Sequence, residues 1–162
     1  MNRKIALNVG ALLGVLLLMK ILGPEDSLDS HIYYTGEQAR GFLKGLGSGQ
    51  SQSYFVNELL DILFIILYSL LAFFSVKRLY KTFAMAPWVA LIPGVLDLIE
   101  TTTILFILNV GDTLNLLHSL GLVTALKWGS GSLLVLLVLT KIAVVKGWIS
   151  IDHPFFKSKG QT

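Results

Sequence analysis

The chain contains no cysteine. Disulfides, thiolate nucleophiles and thiolate metal sites are therefore excluded. Charge is nearly as scarce: Asp, Glu, Lys and Arg make up 14% of the 162 residues, against about 25% in an ordinary soluble domain. Hydrophobic residues make up 54%. So much apolar content in so short a chain does not fit one water-soluble core, and it points to a polytopic membrane protein. The net charge of +3 does not read as a nucleic-acid footprint. The basic residues fall at the ends of apolar runs, where they act as topology signals.

Four such runs are present: "IALNVGALLGVLLLMKIL" (5–22), "YFVNELLDILFIILYSLLAFFSV" (54–76), "APWVALIPGVLDLIETTTILFILNV" (86–110) and "SLGLVTALKWGSGSLLVLLVLTKIAVV" (119–145). Each is long enough for a hydrocarbon core of about 30 Å, which takes about 20 helical residues. The first follows Arg3 and Lys4 as a signal peptide would. It is read as a retained span because it is long, lacks a small-x-small cleavage site, and carries Gly10 and Gly14 at helix-packing spacing. The fold expected is an all-α, integral membrane, antiparallel four-helix bundle forming a single membrane domain over residues 1–162.

Lys and Arg set its orientation. Arg3 and Lys4 precede the first span; Lys77, Arg78 and Lys81 follow the second; Lys141, Lys146, Lys157 and Lys159 lie at or beyond the end of the fourth. The connection 109–118 has neither Lys nor Arg, and Arg40 and Lys44 in the first loop are offset by Glu25, Asp26, Asp29 and Glu37. Both termini are thus expected in the cytoplasm.

The first loop is more than a linker. Thr35 and Gln38 fit a capping box, and Ala39, Phe42, Leu43 and Leu46 recur at one-sided helical spacing. A short amphipathic helix is expected at about 35–46, stopped by Gly45 and Gly47. Amphipathicity alone leaves two apolar partners open: lipid headgroups below the helix, or the mouth of the bundle. The following "GSGQSQS" reads as a flexible tether.

Four ionisable residues interrupt the spans. At about 1.5 Å per residue, Asp61 lies ~10 Å from the start of its run, Asp97 ~15 Å, and Lys127 ~12 Å, with Glu100 a turn beyond Asp97. They share one slab, from the midplane into the outer half. Each also belongs to a polar stripe: Tyr54, Glu58, Asp61 and Tyr68; Pro93, Asp97 and Glu100; Thr124, Lys127 and Gly131. Such stripes turn inward, because a charge at the bilayer centre costs at least ~2.5–3.5 kcal/mol.

The plainest reading is a brace, Lys127 paired with Glu100 or Asp61. Polar contacts in membrane bundles average only about 0.6 kcal/mol, however, and three acids face one base, since Lys20 snorkels to the interface. Either one or two carboxylates hold a proton at neutral pH, or a bound cation or cationic ligand supplies the missing charge. Both alternatives suit a functional site better than a brace. Candidate ligand-binding residues are Asp61, Tyr68, Asp97, Glu100, Lys127 and Trp128, the last either walling a pocket or facing lipid.

Pro93-Gly94, one turn before Asp97, is expected to kink the third span and open a pocket beside Pro93 and Glu100. Gly121, Ala125 and Gly129 match Gly10 and Gly14 as packing surfaces, so spans one and four are expected to touch; homo-oligomerisation is the competing use. His118 lies in a short loop above the slab without metal-ligand spacing, and His31 and His153 read as surface or interface residues. No cofactor and no metal ion are expected.

The landmarks "YTGEQARGFLKGLGSGQSQSY", "DILFIILY", "IPGVLDLIE" and "ALKW" resemble those of a group of uncharacterised, mostly bacterial, four-helix membrane proteins. That group shows an outer Y-S/T-x-x-x-A helix ending in LG, an Asp and Tyr in span two, P…D-x-x-E-N in span three and Lys-Trp in span four. The resemblance covers Tyr34 to Trp128. Thr101 stands where an asparagine would follow the glutamate, and Gln50 where an arginine would stand. It implies a four-helix fold and the same polar cluster, with no activity attached; the location expected for the chain is the bacterial inner membrane. A looser similarity links the chain to the emopamil-binding-protein family, whose members bind or isomerise sterol-like ligands in small helical bundles.

Three functions fit this reading. One is binding, or acting on, a lipophilic molecule that enters from the bilayer, with paired carboxylates for acid and base roles. The second is a small proton or cation transporter subunit, which would need an oligomer for alternating access. The third is a scaffold or accessory subunit in which the charges only brace. The apolar stretches "SLLAFFSV" and "LLVLLVLT" make the inner half dry and disfavour a through-channel. Partners expected are the bilayer, a lipophilic ligand and further copies of the chain.

Overall fold

The computed structural model describes residues 3–23, 27–81, 83–111, 116–146 and 148, less the side chains of residues 3–6 and 29. Of the charges weighed above, Glu25, Asp26, Lys157 and Lys159 lie outside the described residues, as do His153 and the side chains of Arg3, Lys4 and Asp29. The regular elements are all helical: α1 (Arg3–Leu22), a 3₁₀ turn (Leu28–Ser30), α2 (Gly36–Gly45), α3 (Ser48–Leu79), α4 (Ala86–Val89), α5 (Ile92–Val110) and α6 (Leu117–Val145). Three stretches, Ser48–Leu79, Ala86–Val110 and Leu117–Val145, are long and apolar enough to cross a membrane. The apolar part of α1, Leu7–Leu22, is shorter. Most large aliphatic side chains of α1 are exposed, Leu7, Leu13, Leu17 and Ile21 among them.

The stretch expected as one span, 86–110, is two helices in line. Pro93 has no N–H for the carbonyl a turn back and opens α5, the position that tolerates this best. The chain bridges the break at Ala90–Leu91 with a tighter bond, Leu91 N–H to Trp88 O at 3.1 Å. The interruption thus falls where the proline predicts, just before the turn that carries Asp97.

Antiparallel packing places α5 between α3 and α6. Gly94 permits the α3–α5 approach, since a Cβ there would overlap Ser69 Oγ. α1 lies along α3: Asn8 Nδ2 donates to Leu67 O at 3.2 Å, and Ser53 Oγ donates to Leu22 O near the other end. α1 therefore packs along α3 and not mainly against α6, contrary to the small-residue reading of the first and fourth runs. A Cβ at Gly10, Gly14 or Gly129 would meet nothing within 4 Å. Small-residue spacing shows where a close approach is permitted, not that one occurs.

The first-loop helix resolves in favour of the bundle mouth. Thr35 Oγ1 accepts from Gln38 N–H at 3.2 Å, and Gln38 Oε1 accepts from Thr35 N–H at 2.8 Å, completing the capping box. Ala39 is fully buried, and Phe42 packs edge-on to Tyr54 with ring centroids 5.4 Å apart. Tyr34, Ala39, Tyr54, Ile104, Ile107, Leu117 and Leu120 form one apolar core, with Phe42, Leu43 and Leu46 packed against it. α2 is thus a cap over this end of the helices. Gly36 lies against the His118 backbone, and Gly121 admits the Tyr34 carbonyl where a Cβ would collide. One sequence expectation fails here. "GSGQSQS" is not a tether: from Ser48 onward it forms the first turns of α3, and Gln50 Oε1 accepts from Gly47 N–H at 3.2 Å to start them. α2 does stop at Gly45, as expected, though without a left-handed turn: among the described glycines only Gly111, after α5, has a positive φ.

A second apolar core, Val76, Tyr80, Ala86 and Ala90, closes the far end together with Leu134 and Val138. Lys141, one of the basic residues at the end of the fourth run, is buried there, its Nζ 5.5 Å from the centre of the Tyr80 ring. The Tyr80 hydroxyl donates to Leu137 O at 2.9 Å. The far half is therefore not wholly free of charge. The long Lys stem packs in the apolar core, and the ring face meets the ammonium.

Candidate functional site

The three polar stripes face one another. On α5 the buried positions Pro93, Asp97, Glu100, Thr101 and Ile104 follow helical spacing, while Leu98, Ile99 and Phe106 on the other face are exposed. The buried positions of α3 include Tyr54, Glu58, Asp61 and Ile65; those of α6 include Leu117, Leu120, Thr124 and Lys127. A low dielectric outside makes this the only inexpensive direction for the polar groups.

Lys127 is the hub. Its Nζ lies 2.8 Å from Asp97 Oδ1 and 2.5 Å from Glu100 Oε2. The other Asp97 oxygen accepts from the Tyr68 hydroxyl at 2.7 Å. The other Glu100 oxygen accepts from the Tyr34 hydroxyl at 2.9 Å and from Thr124 Oγ1. Asp61 stands beside this network and accepts from Thr101 Oγ1 at 2.8 Å. Of the two partners considered for Lys127, Glu100 is one; the second is Asp97, and Asp61 takes a neutral hydroxyl instead. Glu58 is fully buried one turn toward the cap from Asp61.

An ion pair shared by two carboxylates is costly to bury, and its value depends on how many lone pairs find donors. Here Asp97 and Glu100 each have one oxygen on the ammonium and one on hydroxyls.

Beside the cluster lies a cleft of about 830 Å³. Its polar end is walled by Asp61, Tyr68, Asp97 and Lys127; its apolar length runs past Phe64 and Pro93 to Val135, Leu136 and Leu139 on α6. The last three are more than half exposed, so the cleft lies on the flank of the helices. Trp128 lines it too, and its Nε1–H donates to the His31 carbonyl at 3.0 Å, holding the segment before α2. Five of the six candidate residues thus line one cleft. Glu100 does not: it is fully buried behind Asp97 and Lys127, so the opening lies beside Pro93 but not beside Glu100.

Three residues of the network were not named as candidates: Tyr34, Thr101 and Thr124. Thr124 was visible on the stripe with Lys127. Thr101 occupies the position after the glutamate of the D-x-x-E element, where it supplies the donor to Asp61. Tyr34 precedes the cap helix, and no periodicity ties it to α5. His118 is exposed against Gly36, lining a shallow hollow with Glu37 and Arg40 away from the cluster. Among the described residues no group of three or more His, Asp and Glu is placed to hold a metal ion.

Of the buried polar side chains among the described residues, all but Lys141 lie at the level of the Asp97–Lys127 pair or on its cap side. The cluster can therefore donate and accept hydrogen bonds, and hold a proton, at the head of an otherwise apolar cleft. No family model, no curated protein and no solved structure matches this chain.

Proposed function

We propose that the protein is a multi-pass membrane protein of four spans that binds, or acts on, a lipophilic small molecule entering sideways from the bilayer. The observation that carries this reading is the flank cleft, polar at Asp61, Tyr68, Asp97 and Lys127 and aliphatic from Phe64 to Leu139. Mostly apolar walls with a few convergent polar groups are the usual form of a small-molecule site. A brace needs the ion pairs but not the cleft beside them.

The transporter alternative draws on the string Tyr34, Glu100, Lys127, Asp97 and Tyr68. A string that stops in mid-helix, with apolar packing beyond it, supports a site better than a passage.

On this reading α1 is the fourth span, and Lys77, Arg78 and Lys81 mark the cytoplasmic side, which puts both termini inside and the α2 cap outside. The inner membrane of a bacterium is the proposed location, and kinship with the uncharacterised four-helix proteins is proposed with it. The spacing of the D-x-x-E and Lys-Trp elements supports this.

Purified protein in nanodiscs, analysed by native mass spectrometry and lipid extraction, tests the proposal. The wild type should retain a discrete lipophilic molecule. Asp97→Asn/Glu100→Gln, and separately a cleft-filling Val135→Trp, should lose it. A wild type that carries no such molecule, with Val135→Trp unchanged in behaviour, would move the protein to the scaffold class.

A further inference from the structure

The position and wall chemistry of the cleft narrow the ligand further. We infer that it is a small-headed amphiphile with a protonated amine at one end and a single hydrocarbon body about one leaflet long. The inference rests on the cleft being a ligand site.

Depth comes first. Asp97 lies eleven residues after Ala86 and thirteen before Val110, the bounds of its stretch. At 1.5 Å per residue that is roughly 16 to 20 Å from either end, so the polar end sits near mid-bilayer whichever way the chain is inserted. A phosphodiester headgroup delivered there would lose its water, and a charge at that depth costs at least ~2.5–3.5 kcal/mol without a partner. The cationic group on the wall is Lys127, and it already serves two carboxylates. Anionic and bulky zwitterionic heads are therefore rejected.

The wall also says what is accepted. Both Asp97 oxygens are engaged, by Lys127 and by Tyr68. Asp61 is the wall carboxylate outside that exchange: one oxygen accepts from Thr101, and the residue is 7% exposed in the cleft. Lys127 spends its charge on Asp97 and Glu100, so the group that best completes Asp61 is a cationic N–H donor. A charge-assisted bond of that kind is about twice as strong as a neutral one.

Length comes from α6. Leu139, the far end of the cleft, is twelve residues beyond Lys127, roughly 18 Å along the helix. Half of a ~30 Å hydrocarbon core is close to this. The body of the ligand lies in the leaflet away from the cap, with its head at the midplane, the reverse of an ordinary lipid of that leaflet.

Four probes with one tail separate the claims: tetradecylamine, tetradecanol, tetradecanoic acid and the lysophosphatidylcholine of that chain. The protein carries Trp88→Phe and Trp148→Phe, leaving Trp128 in the cleft as the reporter. At neutral pH the amine should saturate the Trp128 signal at least ~10-fold more tightly than the alcohol, a difference of about 1.4 kcal/mol. The acid and the lysophospholipid should not saturate it. Asp61→Asn should bring amine and alcohol together, and a cleft-filling Val135→Phe, which keeps Trp128 the sole reporter, should abolish both. Should Asp61→Asn fail to fold, the amine-to-alcohol ratio in the parent still decides. Equal binding of amine and alcohol overturns the amine inference and leaves the cleft reading intact. So does a preference that survives Asp61→Asn, or a saturating acid. If no probe saturates, or the amine signal persists in Val135→Phe, the cleft reading falls as well.

Discussion

The Tyr34 hydroxyl donates to Glu100 Oε1 at 2.9 Å, across 66 residues of sequence. This bond joins the segment that leads into the cap to the middle of the central helix. The cap is therefore held by polar contacts to the ion cluster as well as by apolar packing over Tyr54, Ile104 and Leu117.

Tyr34→Phe tests that linkage. It leaves Glu100 Oε1 with Thr124 as its remaining hydroxyl donor while keeping the ring in place, and a hydrogen bond to a charged group contributes about 1.5–3 kcal/mol. Thermal unfolding in detergent should show that loss. Hydrogen exchange should show faster amide exchange in Gly36–Gly45 with α3 unchanged. Equal protection of the cap in both proteins would mean that apolar packing alone holds it.

Removing the shared cation should be more damaging than removing the cluster. Lys127→Met strands Asp97 and Glu100 together in an apolar interior, and breaking a buried pair from one side costs about 3–5 kcal/mol. Lys127→Met combined with Asp97→Asn and Glu100→Gln leaves neutral groups that still accept from Tyr68, Tyr34 and Thr124, and should recover most of the stability. A double-mutant cycle for Lys127 and Asp97 should give a coupling above the average of about 0.6 kcal/mol for polar contacts in membrane bundles. A triple variant no more stable than Lys127→Met would contradict this account.

The stripes and the cluster were legible in the sequence because each rests on a strong local rule. An apolar run of span length with an acid or base inside it forces that group toward other polar groups, and 3.6-residue spacing tells which neighbours travel with it. Asp61, Asp97 and Lys127 follow from that alone, as does the helix break at Pro93. Pairing did not follow. Asp61 and Asp97 lie at similar depths, and only the relative rotation of α3 and α5 decides that Lys127 meets the second. The place of α1 was hidden for a related reason: Gly10 and Gly14 permit a neighbour on any side. The cap was ambiguous because Ala39, Phe42 and Leu43 bury equally well against lipid or against Tyr54. The burial of Lys141 was not legible because a lysine near a span end usually reaches water, and the Tyr80 ring that offers it another course is distant in sequence.

Glycine substitutions should divide sharply by position. Gly121→Ala places a methyl on the Tyr34 carbonyl, a backbone atom that cannot step aside without moving the cap. Overpacking of that kind costs typically 1–3 kcal/mol. Gly94→Ala meets the Ser69 hydroxyl, so Ser69→Ala should relieve part of its loss. Gly10→Ala and Gly14→Ala meet nothing within 4 Å and should leave the melting temperature unchanged or slightly raised, since alanine favours helix. A loss at Gly14 comparable to that at Gly121 would show that α1 has a packing partner outside this chain, such as a second copy.

Topology is open to a direct test because the chain has no cysteine, so any single introduced thiol is the only one. Gly49→Cys lies exposed in the first turn of α3 at the cap end, and Ala84→Cys lies exposed between α3 and α4 at the far end. Lys77, Arg78 and Lys81 cluster beside the second site, and basic residues flanking a span are retained on the cytoplasmic side. A membrane-impermeant maleimide applied to intact cells or spheroplasts should label Gly49→Cys at once and Ala84→Cys only after permeabilisation. The opposite pattern would reverse the orientation and place the cap in the cytoplasm. It would leave the cleft and its mid-bilayer depth unchanged, because Asp97 is nearly equidistant from the two ends of its stretch.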